Sequence, residues 1–250
     1  MTLHRWGAGR PLMIHCALAH GGVLAPLARA LGGGLAFDLP GHGRGPAWDA
    51  ARDYQEHCVA MAVEAMDAPG PVLGHSFGGT VALRLAVERP DLVTALTLVE
   101  PVFFAALRVH DGPAHAAHEA AFAPIVEAYE AGDLHLMAER FTTMWGGAPW
   151  ADLPARFKDM LARQMPLIIA QGVGIDADPG GVFAPGRLEA LGCPVTLIRG
   201  SHTAPSVAAI HRVLIRLTGA EEHVIEGAGH MSPLTHPEAV AALTRLSGVP

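Results

Sequence analysis

The sequence predicts an α/β protein built on a mostly parallel β-sheet with helices on both faces. Short apolar runs with strand character alternate with amphipathic helical runs along most of the chain, and this alternation is typical of parallel α/β sheets. One apolar run leads through a glycine-rich turn at residues 74–79 directly into a helical stretch. The alternation stops once, at residues 102–180, where helical patterns continue without a convincing strand.

The alternating part of the chain contains seven strand candidates and five helix candidates. The strands are predicted at residues 3–6, 11–16, 34–38, 71–73, 95–99, 194–199 and 223–226. The helices are predicted at residues 23–31, 54–66, 80–89, 206–217 and 237–246. The third helix has the clearest end, because Pro90 follows it directly.

The interruption is interpreted as a helical insertion. Its helices are predicted at residues 114–131, 134–145 and 153–165. A block inserted after a strand lies over the carboxyl edge of the sheet, where open α/β sheets bind ligands. We therefore divide the chain into a core formed by residues 1–101 and 181–250 and a helical lid formed by residues 102–180.

Composition excludes several classes of function. The net charge of −7 leaves no broad basic surface, so we do not expect a nucleic-acid partner. Three widely spaced cysteines match neither a disulfide framework nor a zinc site. The chain shows no export signal and no run of 18 apolar residues, so we expect a cytoplasmic protein with a small-molecule substrate and no membrane partner. The oligomeric state cannot be predicted.

The strongest chemical signal is the motif Gly74-His75-Ser76-Phe77-Gly78 between a strand and a helix. In a chain of this composition a Gly-x-Ser-x-Gly motif arises by chance about 0.07 times. A sharp strand-to-helix turn lifts a serine clear of the sheet, where a base can take its proton. Ser76 is therefore the candidate nucleophile, and His230, on a glycine-rich turn after the last strand, is the candidate base.

Two further motifs resemble the α/β-hydrolase family. Residues 37–44 resemble the family's Asp-x-Pro-Gly-His-Gly turn after its fourth strand, and residues 227–230 resemble its terminal Gly-x-Gly-His. The resemblance covers the chain from Pro11 onward except the lid, and it implies a sheet of about seven strands that lacks the family's first strand. The lid then follows the family's sixth strand. In the first of these turns, Asp38 is expected to brace the backbone.

The oxyanion hole departs from the family pattern, because His15-Cys16-Ala17-Leu18 stands where His-Gly is usual. The backbone amides of Ala17 and of Phe77, the residue after the serine, are the two candidate donors.

The acid of the triad is also unusual. The family most often places an aspartate after its seventh strand, but residues 199–205 contain no carboxylate. Glu100 ends the neighbouring strand, and the lengths of the intervening helix and strand return it to the level of Ser76. We expect Glu100 to orient His230. Two alternatives are an ion pair between Glu100 and Arg199, or a histidine that works without a carboxylate.

The positions of some residues in the sequence suggest that they line the substrate pocket. Phe103 and Phe104 follow Glu100, and the lid supplies large apolar side chains that include Trp145. His20 is a further candidate, although a plain loop position is equally compatible with the sequence. Arg84 is expected to face solvent.

Four residues at the start of the lid could suggest a metal site, but we interpret them as a solvated helix face; they are His110, His115, His118 and Glu119. The resemblance implies neither a metal nor another cofactor.

These features predict a serine hydrolase that cleaves a small carboxylic ester, lactone or thioester through an acyl-enzyme. A carboxylate would be needed at position 76 for the family's dehalogenase or epoxide hydrolase chemistry. Hydrolysis of a carbon–carbon bond in a dicarbonyl substrate uses the same triad and stays open, as does a non-catalytic ligand receptor on the same fold.

Overall fold

The computed structural model describes residues 1–8, 10–146 and 148–246. Its described residues form a seven-stranded sheet in the order β1-β3-β2-β4-β5-β6-β7. Only β1 is antiparallel to its neighbour, β3, and the other pairs are parallel. The predicted fold class is confirmed, and each predicted strand is present with ends that differ by one or two residues. The strands are β1 Leu3–Gly7, β2 Leu12–Ile14, β3 Gly33–Phe37, β4 Gly70–His75, β5 Val93–Val99, β6 Val195–Gly200 and β7 Glu221–Ile225.

Helices cover both faces of this sheet. One face packs against α2 (Tyr54–Ala65), α3 (Phe77–Glu88) and α8 (Pro205–Thr218), and the other against α1 (Ala25–Ala30) and α10 (Pro237–Leu243). The central strands are apolar along their length because both of their faces are covered. A short helix that the sequence did not predict, α9 (Ser232–Thr235), precedes α10.

The described residues between β5 and β6 form four α-helices, and they are α4 (Ala105–His110), α5 (Gly112–Glu130), α6 (Leu134–Trp145) and α7 (Ala155–Gly172). The sequence missed α4 and ended α7 at residue 165, one position before a proline. That end was wrong, because α7 continues through Pro166. Proline removes one backbone hydrogen bond, and the burial of Leu167 and Ile168 beyond it holds the helix together. Whether this insertion acts as a lid stays a prediction, as do the domain limits.

The register of the central strands brings two loop positions to one level. His75, the last residue of β4, pairs with Val99, the last residue of β5. The next residues continue the ladder, because the Ser76 amide donates to the Val99 carbonyl at 2.9 Å and the Glu100 amide to the Ile198 carbonyl at 2.9 Å. Ser76 and Glu100 therefore leave neighbouring strands side by side at the carboxyl edge.

None of the helices in the described parts of the chain combines the length and the apolar character that a membrane crossing requires.

Candidate active site

Ser76 occupies a strained turn between β4 and α3. Its backbone has φ 55° and ψ −119°, a region that residues with a side chain rarely adopt. The turn closes only because its flanking residues are glycines: a Cβ on Gly74 would lie 2.2 Å from the Gly78 carbonyl oxygen, and one on Gly78 would lie 2.2 Å from that of Ile14. This is the geometry of a nucleophile elbow.

The structure brings together the three residues proposed as a triad. His230 Nε2 lies 2.9 Å from Ser76 Oγ, and His230 Nδ1 lies 3.2 Å from Glu100 Oε2. All three side chains are buried. A carboxylate can only accept hydrogen bonds, so His230 Nδ1 carries the ring proton and Nε2 is free to accept the serine proton.

Glu100 is held by the loop that follows β6. The Gly200 amide donates to Oε1 at 2.7 Å, and the Thr203 hydroxyl donates to Oε2 at 2.6 Å. Burial raises the pKa of this carboxyl group, but hydrogen bonds and the charge of His230 outweigh it, so the pKa lies below its usual value. Glu100 is therefore ionised at neutral pH.

The alternative ion pair between Glu100 and Arg199 does not form. Arg199 Nε instead donates to Glu222 Oε1 at 3.0 Å. Thr203 was not predicted to take part in the site. The presence of a hydroxyl in the loop that lacks the usual aspartate is the signal that could have indicated it.

His75 supports the loop that carries His230, a role that the sequence did not predict. Its Nε2 donates to the His230 carbonyl oxygen at 2.8 Å, and the two rings lie 5.3 Å apart. Burial, with a smaller effect of His230, lowers the pKa of His75 to about 3. His75 is therefore neutral at physiological pH and places no second positive charge beside the base.

Two buried histidines hold the backbone on either side of Ala17. His15 Nδ1 donates to the Cys16 carbonyl oxygen at 2.7 Å, and His42 Nε2 accepts from the Leu18 amide at 3.0 Å. Leu18 has a φ of 60°, so this segment bends sharply. The peptide groups flanking Ala17 are thus fixed by side chains from the core.

The second nitrogen of each of these histidines is also bound. His15 Nε2 accepts from the Leu39 amide at 3.0 Å, and His42 Nδ1 donates to the Pro40 carbonyl oxygen at 2.9 Å. Burial lowers the pKa of His15 to about 3 and lowers that of His42. Both rings are therefore neutral, and each has a defined tautomer.

The amides of Ala17 and Phe77 make no hydrogen bond with other described residues. Both residues line the same cavity as Ser76 and His230. Free backbone donors beside a nucleophile are what an oxyanion hole requires.

This cavity has a volume of about 770 Å³ and is mostly apolar. His20, Phe104 and Trp145 line it as predicted, and the Trp145 ring lies 4.7 Å from that of His230. Their contact with substrate stays a prediction. The prediction for Phe103 was wrong, because its side chain is fully buried. Its ring packs edge-on against that of Phe183, with the ring centres 5.0 Å apart. The two adjacent phenylalanines face different sides of the turn into α4, so only Phe104 reaches the cavity.

The fold and this geometry agree with the comparison with known proteins. Residues 12–243 match the model described as the alpha/beta hydrolase family. The chain belongs to the alpha/beta hydrolase family. It is therefore an α/β-hydrolase enzyme.

Relatives of this hydrolase include several named esterases. Lipase LipV of Mycobacterium tuberculosis is 29% identical over 263 residues, which cover 96% of this chain and 93% of the lipase. A pimeloyl-[acyl-carrier protein] methyl ester esterase of Neisseria meningitidis serogroup B is 31% identical over 252 residues, which cover 97% of this chain and 90% of the relative.

Solved structures show the same fold at lower identity. The enol-lactonase from Burkholderia xenovorans LB400 superposes with a TM-score of 0.66 at 18% identity, covering 96% of this chain and 93% of the lactonase. At this identity the likeness concerns the fold alone.

One side chain of this hydrolase lies elsewhere than the sequence suggested, and another lies as expected. Arg84, expected in solvent, is buried and binds Asp53 at 3.1 Å and Glu88 at 2.7 Å. The reason is that α3 is enclosed on nearly all sides and carries its arginine into contact with α2. Asp38 braces its turn as expected, since its carboxylate accepts from the amides of Gly21 and Arg44.

Of the four residues predicted to form a solvated helix face, His110 and Glu119 are exposed, but the two histidines of α5 are not. His118 is buried and stacks on Phe104, with ring centres 3.5 Å apart. His115 hydrogen-bonds Asp176, which follows α7, at 2.8 Å. His115, Glu119 and Asp176 each offer a ligand atom within 4.8 Å of the others. The hydrogen bond accounts for the proximity of His115 to Asp176, and Glu119 lies one helical turn after His115 on α5.

Proposed function

We propose that this chain is a serine hydrolase that cleaves small carboxylic esters, lactones or thioesters through an acyl-enzyme. The observation that carries the proposal is the bridging position of His230, 2.9 Å from Ser76 Oγ and 3.2 Å from Glu100 Oε2. The names of the two relatives, a lipase and a methyl ester esterase, support ester hydrolysis. A small-molecule substrate and a cytoplasmic location belong to the same proposal.

In this mechanism Ser76 attacks the carbonyl carbon while His230 Nε2 takes the serine proton. Glu100 keeps the imidazole in the required tautomer and stabilises the positive charge that forms on it. The amides of Ala17 and Phe77 donate to the oxyanion of the tetrahedral intermediate.

Collapse of this intermediate expels the alcohol or thiol, which receives the proton from His230. Water then attacks the acyl-enzyme with His230 as base, and the carboxylic acid leaves.

The mostly apolar cavity suits the acyl chain or the alcohol of such a substrate. The absence of an aspartate after β6 would favour a non-catalytic receptor, but Glu100 lies beside His230 and can take the role of that aspartate. Nothing in the geometry favours the carbon–carbon alternative over ester cleavage.

The test is covalent labelling followed by intact-mass measurement. A fluorophosphonate is expected to add one adduct to the wild-type chain and none to Ser76→Ala. Ser206→Ala is the matched control, because this serine lies at the start of α8 and is not among the residues that line the cavity. Unlabelled wild type, or a labelled Ser76→Ala variant, would refute the proposal.

The substrate class is tested by comparing the rate of hydrolysis of p-nitrophenyl esters with that of a vinylogous diketone. Ester hydrolysis that depends on Ser76 is the expected result, and turnover of the diketone alone would favour carbon–carbon hydrolysis.

A further inference from the structure

His118 stands out on the wall of the cavity that contains Ser76. Its side chain comes from α5 and is 95% buried, since only 5% of it is exposed. One face of its ring lies on Phe104, with a centroid distance of 3.5 Å and an interplanar angle of 18°. The ring is therefore held in one orientation by packing.

Within the described residues, no hydrogen bond involves the ring nitrogens of His118. Nδ1 is buried and has no hydrogen-bond partner among the described residues. Nδ1 has almost no accessible surface, whereas Nε2 does not belong to the fully enclosed atoms, so Nε2 is the nitrogen that a ligand in the cavity can contact. Burial, and to a smaller extent His115, lowers the pKa of His118 to about 4. At neutral pH the ring thus offers one N–H donor and one acceptor.

A row of aromatic rings connects His118 to the proposed catalytic residues. Phe104, on which His118 stacks, lies 6.2 Å from Trp145, and Trp145 lies 4.7 Å from His230. All four residues line the same cavity as Ser76. An acyl chain attached to Ser76 that follows this apolar row ends beside His118.

The charges on the cavity wall restrict what that acyl chain carries. The described lining residues include two carboxylates, Glu119 and Asp176, and no lysine or arginine. A carboxylate on the substrate would meet like charges and no lysine or arginine among these described lining residues. A neutral polar group can pair with Nε2 of His118, as its donor or its acceptor, without that repulsion.

We propose that His118 is a specificity-determining residue that hydrogen-bonds a neutral hydroxyl or carbonyl oxygen on the acyl chain of the substrate, remote from the bond that is cleaved. The preferred substrates are therefore esters of hydroxylated or oxo acyl chains, and esters carrying a free carboxylate are disfavoured. This inference rests on the proposed function, because it assigns the acyl group to the cavity next to Ser76.

The experiment compares kcat/KM for p-nitrophenyl decanoate with that for p-nitrophenyl hydroxydecanoates and oxodecanoates substituted at successive positions. One hydrogen bond between neutral groups corresponds to a preference of roughly 2- to 10-fold, and we expect it at one or two adjacent positions. In His118→Phe, which keeps a ring on Phe104, the preference disappears while kcat/KM for the unsubstituted ester changes less.

His118→Gln is the matched variant, because its amide retains a donor and an acceptor and should keep part of the preference. The half ester of decanedioic acid tests the acidic wall. It should be a poor substrate of the wild type and improve in Glu119→Gln.

The readout is a ratio between two substrates in one variant, which a general loss of folding does not change. Equal rates for all substituted and unsubstituted esters, or an unchanged preference in His118→Phe, would overturn the role of His118. Hydrolysis of the unsubstituted ester by wild type in those cases leaves the proposed function intact.

A wild type inactive on every ester would instead overturn the proposed function. The role of His118 is then decided by calorimetric titration of Ser76→Ala with the methyl esters, in which the hydroxylated ester must bind more tightly than the unsubstituted one.

Discussion

Thr203 donates its hydroxyl proton to Glu100 Oε2 at 2.6 Å, from the loop where α/β-hydrolases most often place the carboxylate itself. The same loop contributes the Gly200 amide to the other carboxylate oxygen at 2.7 Å. The end of β5 thus supplies the acid, and the end of β6 supplies the donors that hold it. The longer side chain of glutamate spans the distance to His230 from this neighbouring strand.

Glu100→Gln is expected to lower kcat by roughly 10³- to 10⁴-fold. A neutral amide cannot stabilise the imidazolium. Its NH₂ group can also donate to Nδ1, which favours the tautomer whose Nε2 carries the proton and cannot act as base. The measurement is steady-state hydrolysis of a p-nitrophenyl ester, with circular dichroism to verify the fold. Glu226→Gln makes the same chemical change on an exposed side chain of the loop after β7 and should leave kcat nearly unchanged. A Glu100→Gln variant with wild-type turnover would remove glutamate from the mechanism.

His42 gives a test of the oxyanion loop. In His42→Gln the amide oxygen reaches the place of Nε2 and still accepts from Leu18, whereas in His42→Asn the shorter side chain leaves the Leu18 amide unpaired. Because Leu18 adjoins the proposed donor Ala17, we expect His42→Asn to lower kcat by about 10- to 10²-fold, less than the 10² to 10³ typical of losing a donor outright.

The measurement for this pair is kcat at saturating ester, compared with the thermal midpoint of each variant. His42→Gln should retain most of the activity. Equal kcat values in the two variants would show that the contact with Leu18 does not position the donor.

The buried histidines predict a loss of stability in mild acid. The pKa of His75 falls from 6.5 to about 3 on folding, mainly because of burial. Below pH 6.5 the unfolded chain takes up a proton that the folded chain does not, so the free energy of unfolding falls by about 1.4 kcal/mol per pH unit for this group. Above pH 6.5 the group has no effect, and His15 follows the same rule.

Urea unfolding at pH 7.5 and pH 5.0 measures this dependence. In His75→Gln, whose amide can still donate to the His230 carbonyl oxygen, the loss between the two pH values should be smaller by about 2 kcal/mol. His135→Asn is the control, because its side chain is 58% exposed. A pH dependence in His75→Gln that equals the wild-type one would contradict the assignment.

Much of the backbone plan could be predicted from the chain. Alternation of apolar runs with helical runs is a local property, so the strands and most helices were found within a few residues. The positions of Ser76, Glu100 and His230 also follow from local reasoning, because Ser76 and Glu100 come directly after parallel strands, His230 lies in the loop after another, and such positions meet at one edge of the sheet. The continuation of α7 through Pro166 was missed, since packing beyond the proline outweighs the local penalty.

Side-chain directions were not predictable in the same way. Phe103 and Phe104 are equivalent in sequence, yet one lies in the core and the other on the cavity wall. His118 looked like a solvated residue until the packing of α5 placed it on Phe104. Arg84 likewise became buried because α2 supplies its partner Asp53.

The sequence by itself determined the fold class, the order of the strands along the chain and which residues follow them, because these depend on the periodicity and the turn chemistry of short segments. Only the tertiary structure decided that Thr203 and Gly200 hold Glu100, that His15 and His42 flank Ala17, and that His118 lines the cavity with Nδ1 unpaired within the described chain. Each of these contacts joins segments far apart in sequence, and their distances are set by the packing of the helices on the sheet.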